Sequence, residues 1–280
     1  MPSSASSPRK LLAAAGIRPK KRYAQNFLEN ASAASRIATL SLAGAPPETR
    51  MLEIGAGTGS LTLALLNAGA QLTAIEIDAD LVAVLRSRPD LSRAQIVQAD
   101  ALEFDYRTWS AGHRWRVAGN LPYNVATPVM LRLIEMEDGP ESLTVMVQKD
   151  VAQRLVAAPA SPAYGSLSVA VQYAMCAQIA FDLRPGSFFP PPKVESSVVV
   201  LVRRAEPAVR PRNLSMFWKV VRGAFAYRRK TLVNTLALAL HIDRAEVLRA
   251  LLSSNLSPEL RGERLDLGDF ARLADALAEE

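Results

Sequence analysis

The chain has 280 residues, 49% of them hydrophobic, and carries a formal charge of +6. That length admits more than one domain, and that composition excludes a disordered chain. No apolar stretch approaches the roughly 20 residues of a membrane span, the single cysteine, Cys176, excludes an internal disulfide, and His113 and His241 lack metal-ligand spacing. A protein of a reducing, cytoplasmic compartment, with neither membrane segment nor metal, is expected.

Residues 1–8, rich in Ser, Ala and Pro, read as disordered. Arg9, Lys10, Arg18, Lys20, Lys21 and Arg22 follow, with no acid before Glu29. Residues 1–22 therefore read as a flexible basic arm. A Ser-rich, acid-poor start also suits an organelle transit peptide, but this one runs directly into a segment that looks functional. Glu29–Leu42 has helical apolar spacing, and Pro46-Pro47 breaks the chain. Short apolar strands are predicted at Met51–Ile54, Leu72–Ile75, Gln95–Gln98, Trp115–Ala118 and Leu143–Val147. Helices are predicted at Leu61–Ala68, Ala79–Arg86, Val125–Met136 and Asp150–Ala157. Continuous apolar strands alternating with helices predict a mostly parallel, doubly wound α/β sheet. The apolar runs Val169–Leu183 and Ser197–Arg203 flank the loop Arg184–Lys193 and predict an antiparallel hairpin at the sheet edge. After Pro207 and Pro211 only helical spacing remains, at Leu214–Tyr227, Lys230–Leu240, Arg244–Leu252 and Leu267–Leu277. The expected division is the arm at 1–22, an α/β domain at 23–205 and a small all-helical domain at 206–280. Residues 207–230 hold Arg210, Arg212, Lys219, Arg222, Arg228, Arg229 and Lys230 without an acid, which suggests a polyanion partner.

Ligand chemistry concentrates where predicted strands end. Met51–Gly59 runs from strand to helix through a glycine turn, and such a turn lets a ligand approach the backbone. Its spacing is Gly-x-Gly-x-Gly at Gly55, Gly57 and Gly59, with Ser60 where a dinucleotide fingerprint would have glycine. Glu53 in the preceding strand suits the cationic tail of a sulfonium nucleoside better than a pyrophosphate. Glu76, ending the next strand, can chelate ribose hydroxyls, and Asp100 can accept from an adenine amine. Asn120-Leu121-Pro122-Tyr123 offers an amide, a stiffened turn and an aromatic. The Asn120 side-chain oxygen and the Leu121 carbonyl can accept from the two N–H groups of a base's exocyclic amine, while Tyr123 stacks on the ring. Each polar residue alone also suits a turn or a helix cap.

With these residues the chain resembles the KsgA/RsmA family of ribosomal RNA adenine N6,N6-dimethyltransferases over about Lys20 to Leu240. The motifs are Ala24–Leu28, Glu53–Gly59, Asn120–Tyr123, Phe188–Ser196 and Arg228–Leu232. Ala56 and Thr58 stand where relatives often carry Pro and Leu. The resemblance implies a Rossmann-like class I methyltransferase sheet using S-adenosylmethionine, with Asn26, Leu28, Gly55, Gly57, Glu76, Asp100 and Asn120 around the cofactor. It implies Asn120, Leu121, Tyr123 and Phe188 at the target base, Phe188 as a second aromatic wall. It also implies the small ribosomal subunit and its 16S RNA as partner of Arg222, Arg228, Arg229 and Lys230, a role in ribosome biogenesis, and a monomer. A 23S-directed adenine methyltransferase of the macrolide-resistance type, a non-catalytic assembly factor on the same fold and a nicotinamide oxidoreductase are the alternatives.

Overall fold

The computed structural model describes residues 7–227 and 229–278. Most of the Ser-rich start, Arg228 and the last two residues lie outside the described residues. The strands are β1 (Phe27–Leu28), β2 (Arg50–Ile54), β3 (Gln71–Glu76), β4 (Gln95–Gln98), β5 (Trp115–Asn120), β6 (Ser142–Gln148), β7 (Met175–Leu183), β8 (Phe188–Phe189) and β9 (Ser196–Arg203). Seven of them form one sheet in the order β4-β3-β2-β5-β6-β9-β7, and β1 pairs antiparallel with β8. Parallel pairing runs from β4 to β6, and β9 lies antiparallel to β6 from Ser142↔Val202 to Gln148↔Ser196. The apolar continuity of the central strands follows from burial on both faces; Met51, Leu52, Ala118 and Val145 are wholly buried.

The helices are α1 (Pro8–Ala14), α2 (Ala31–Leu42), α3 (Ser60–Asn67), α4 (Ala79–Arg86), α5 (Tyr106–Ser110), α6 (Ala126–Glu135), α7 (Lys149–Leu155), α8 (Ser166–Ala174), α9 (Leu214–Ala224), α10 (Leu232–Leu240), α11 (Arg244–Ser253) and α12 (Leu267–Ala278). Several start where the sequence supplies a cap. Asn30 accepts from the Ala33 N–H at 3.0 Å, and Asp243 from the Ala245 N–H at 2.6 Å. The chain clusters into two compact units, residues 1–152 with 177–203, and residues 153–176 with 204–280. This differs from a single cut at 205/206, because α8 packs with α9 and α12. The second unit has its own core of Phe217, Leu236, Leu251, Phe270 and Leu273.

Two expectations need correcting. The run Val169–Leu183 is not one strand: its first half belongs to α8, and only from Met175 does it enter the sheet. A continuous apolar run satisfies a buried helix and a buried strand equally, so periodicity cannot separate them. The basic arm is not flexible throughout. Pro8 opens α1, as its fixed φ favours, and Leu12 is buried against Phe27 and Leu81.

Gly119 shows how tightly β2 and β5 meet near the carboxyl ends. A Cβ there would lie 2.6 Å from the Ile54 carbonyl oxygen and 3.2 Å from Leu121 Cδ2. Gly119→Ala is expected to destabilise the fold by roughly 1–3 kcal/mol through overpacking, read as a lower urea midpoint.

Candidate active site

The glycine turn leaves β2 with three residues in left-handed backbone: Gly55 at φ +76°, Gly57 at +58° and Gly59 at +86°. A side chain at Gly59 would also meet Leu91 at 2.7 Å. The Gly55 and Ala56 N–H groups donate to the Ile75 carbonyl, which ties the turn to β3. At the end of β3 the Glu76 carboxylate accepts from the Gly57 N–H at 2.8 Å and from the Asp78 N–H at 3.0 Å. Glu76 is buried, and burial raises its pKa against the pull of those N–H bonds. It lines a cavity of about 250 Å³ together with Gly55, Asp100, Leu121 and the aliphatic Ile77 and Val129. Asp100 spends one carboxylate oxygen on the Leu102 N–H at 2.8 Å, a local turn bond.

Glu53 lies behind this cavity. It is 1% exposed, and its Oε2 has no hydrogen-bond partner. It lines a small side chamber with Gly55, Gly57, Leu28 and Asn120. Burial pushes its pKa up to about 8, with the neighbouring Glu76 charge acting in the same direction. An orphaned buried carboxyl oxygen beside an open glycine turn is a donor set for a cation. It fits the ammonium of an amino acid tail and does not fit a pyrophosphate.

Asn120 ends β5 on the other side of β2 from Glu76. Its Nδ2 donates to the Asn26 carbonyl at 2.7 Å, so the amide is held by its nitrogen end. Its Oδ1 accepts no hydrogen bond among the described residues. Leu121 is buried and donates its N–H to the Met146 carbonyl at 3.2 Å, while Pro122 accepts from the Val125 and Ala126 N–H groups and turns the chain into α6. Tyr123 shares a hydrogen bond of 2.7 Å with the Ser196 hydroxyl, and burial raises its pKa. The phenol thus stays neutral and its hydroxyl is occupied, which leaves the ring as the useful surface. Asn26, Tyr123 and Asn120 line a narrow channel, and Asn26 and Tyr123 also line an open cavity of about 730 Å³.

Leu28 is buried in β1 and reaches the chamber beside Glu53. Phe188, which the resemblance implies as the second aromatic wall, faces the core in this structure. It is 2% exposed, packs in the core with Leu28 and lines none of these cavities. Pairing of β1 with β8 sets adjacent residues on opposite faces, so Phe189 is the aromatic that lines the 730 Å³ cavity. Sequence reasoning also missed Arg22 and Tyr23, which wall the 250 Å³ cavity from the arm. It missed the latch below them as well: Lys20 Nζ meets Asp78 and Asp80 at 2.6 Å each, and Gln25 donates to Asp78 at 2.9 Å. The available signal was an acid-free arm preceding Asp78-x-Asp80 directly after Glu76.

In the second unit Arg222 is exposed on the last turn of α9, and Arg229 and Lys230 are exposed in the turn before α10. The expected helix ends three residues early, at Ala224. Among the described residues no helix is long and apolar enough to cross a membrane, and no group of three His, Cys, Asp or Glu could hold a metal.

A mostly parallel sheet with one antiparallel strand inserted beside its edge, a Gly-x-Gly-x-Gly turn, and acidic and amide groups at the carboxyl ends of β3 and β5 together define a class I methyltransferase. A family model described as ribosomal RNA adenine dimethylase matches residues 16–278, and the chain belongs to that family. It is accordingly an S-adenosylmethionine-dependent ribosomal RNA adenine dimethyltransferase. The chain is 43% identical over 264 residues to ribosomal RNA small subunit methyltransferase A of Pseudomonas aeruginosa, covering 94% of this chain and 96% of the relative. Among solved structures, a dimethyladenosine transferase from Plasmodium falciparum superposes with a TM-score of 0.73 at 23% identity, over 88% of this chain and 95% of that one. The 23S rRNA methyltransferase ErmE superposes at 0.67 and 23%, over 90% of this chain and all of that one. At those identities both likenesses speak for the fold.

The buried Glu53 gives a pH dependence whose sign is fixed. Its folded value, about 8, lies above its ordinary 4.5, so between the two the folded chain holds a proton that the unfolded chain has lost. Without cofactor, this residue's contribution is most favourable below pH 4.5 and declines up to pH 8. The decline is about 1.4 kcal/mol per pH unit. Urea unfolding of the parent should lose stability across that window more steeply than Glu53→Gln, which keeps the shape and cannot ionise.

Proposed function

We propose that the chain dimethylates the N6 amines of two adjacent adenosines in the 3′-terminal hairpin of 16S RNA, within the small ribosomal subunit, as a cytoplasmic monomer serving ribosome biogenesis. The observation that carries the reading is the Asn120 amide, held by its Nδ2 on the Asn26 carbonyl with Oδ1 left as a free acceptor. The 43% identity to the small subunit methyltransferase A of Pseudomonas aeruginosa supports the small subunit over the large one.

Bound S-adenosylmethionine supplies a sulfonium methyl, an electrophile that needs no covalent enzyme intermediate. The chain's own contribution is orientation. Glu76, already fixed by two backbone N–H groups, presents its carboxylate edge to the ribose hydroxyls. Asp100 keeps one oxygen for the adenine amine of the cofactor, and Gly55 and Gly57 give the ligand room. Asn26 and Leu28 close the arm side. Glu53 receives the ammonium of the methionine tail. At the acceptor, Asn120 Oδ1 and the Leu121 carbonyl accept from the two amine N–H groups, which turns the nitrogen lone pair toward the methyl. Tyr123 stacks on the ring. Positioning of this kind converts a poor nucleophile into a near-attack one without a base. Arg222, Arg229 and Lys230 contact RNA phosphates, and their exposure suits that role.

Asn120→Ala should reduce turnover on the order of 10²-fold or more, as loss of one preorganised hydrogen-bonding group does. Dimethyladenosine in small-subunit particles, quantified by mass spectrometry, is the measurement; near-parental yield would remove Asn120 from the mechanism. Glu76→Ala should weaken S-adenosylmethionine binding by roughly tenfold or more, measured by calorimetry. An unchanged affinity would show that its two backbone bonds are its whole function.

A further inference from the structure

Of the groups assigned to the cofactor only Asn26 lines the 730 Å³ cavity, which shares Asn26 and Tyr123 with the narrow channel. Its walls are an aromatic ring on a proline-rich loop, Phe189 followed by Pro190–Pro192, and two lysines, Lys21 and Lys193. Both lysines are exposed, and neither has an acidic partner among the described residues. The neighbouring cations differ: Lys20 is spent on Asp78 and Asp80, and Lys149 on Asp182 and Glu195. Arg9 of α1 does not itself line the cavity, but its guanidinium lies 4.7 Å from the centroid of the Phe189 ring, which adds a third positive charge beside that ring.

The geometry points to an RNA-strand subsite here, in which a nucleotide flanking the target adenosine stacks on Phe189 while its phosphates meet Arg9, Lys21 and Lys193. The occupant follows from charge and shape. Unpaired cations around an aromatic platform are the features that bind single-stranded nucleic acid, the ring being tolerant of base identity. The volume lies within the range that holds ligands larger than one base. An acidic peptide would satisfy the lysines and leave the ring unused. The inference rests on the proposed RNA substrate and adds to it a contact surface in the first unit, separate from Arg222, Arg229 and Lys230.

The test uses the full-length chain, unmethylated small-subunit particles and a short single-stranded RNA carrying 2-aminopurine beside the target adenosine. Lys21→Glu with Lys193→Glu should weaken RNA and particle binding, and should flatten the log–log salt dependence by about 0.7–0.9 for each phosphate no longer neutralised. S-adenosylmethionine affinity of this variant, measured by calorimetry, reports that the cofactor side is intact. Phe189→Leu should abolish the 2-aminopurine quenching seen with parent, and Phe189→Tyr should restore it. Asn120→Ala should keep both the quenching and the salt slope while losing methylation. An unchanged salt slope in the double-lysine variant, or undiminished quenching in Phe189→Leu, overturns the subsite even where the parent methylates RNA. A parent that binds particles yet yields no dimethyladenosine overturns instead the reading of the reaction.

Discussion

The site depends on one buried carboxylate. Glu76 takes the Gly57 N–H with one oxygen and the Asp78 N–H with the other, so it joins the turn after β2 to the loop after β3. Asp78 in turn receives Lys20 and Gln25, and Gln25 accepts the Lys20 backbone N–H at 2.8 Å. One residue further along the arm, the Asn26 carbonyl receives Asn120. These hydrogen bonds thus link the glycine turn, the arm and the Asn120–Tyr123 tetrapeptide. Because several of these bonds are charge-assisted and partly shielded from water, each is stronger than an exposed one. In the proposed mechanism, donor and acceptor sites are aligned by the same bonds that fold the arm down.

That alignment carries a stability cost. Two carboxyls, Glu53 and Glu76, are buried within one site, and both are shifted toward the protonated form by burial. Hydrophobic residues of similar volume would pack there without desolvating a charge. Strongly perturbed groups converging on a cavity belong to ligand chemistry more often than to structure. Here a bound cation can relieve the repulsion: it supplies the partner that Glu53 Oε2 lacks in the chain itself. With the cofactor's ammonium at Glu53, as proposed, cofactor binding and folding are coupled, since what destabilises the free protein is satisfied in the complex.

Much of the first unit was legible because its signals are local. Gln95–Gln98 and Ala79–Arg86 match the observed elements residue for residue, and the other central strands differ only by a residue or two at their ends. Continuous apolar runs broken by Gly, Asp or Asn mark a buried parallel strand and the turn that follows. The glycine turn, Glu76 and Asn120 were legible for the same reason, standing where strands end. What failed depended on tertiary partners. Nothing within Val169–Leu183 shows that its first half docks on α9 and α12 and becomes helical. Nor does composition show that Leu12 finds a place between Phe27 and Leu81, which makes an arm that reads as flexible fold as α1. Phe188 and Phe189 are equivalent in sequence pattern. Only the register with Phe27 and Leu28 decides which ring enters the core, and a shift of one residue exchanges them.

The tyrosine hydroxyl shows what kind of catalyst this is. The Tyr123 hydroxyl is engaged with that of Ser196, and burial raises its pKa away from any role as a base. Asn120 has no titratable proton at all. In the proposed mechanism the acceptor side therefore offers orientation and a stacking surface, with no group poised to remove a proton from the amine. That is sufficient for this reaction, because the amine nitrogen becomes acidic only after it has taken the methyl, and water can then accept the proton. It also explains how one pocket can serve two successive transfers. A site built around a proton acceptor would distinguish an amine with two hydrogens from one with a single hydrogen. A site built around Oδ1 of Asn120, a backbone carbonyl and an aromatic face loses only one hydrogen bond when the first methyl is in place, and keeps the ring and the lone pair where they were.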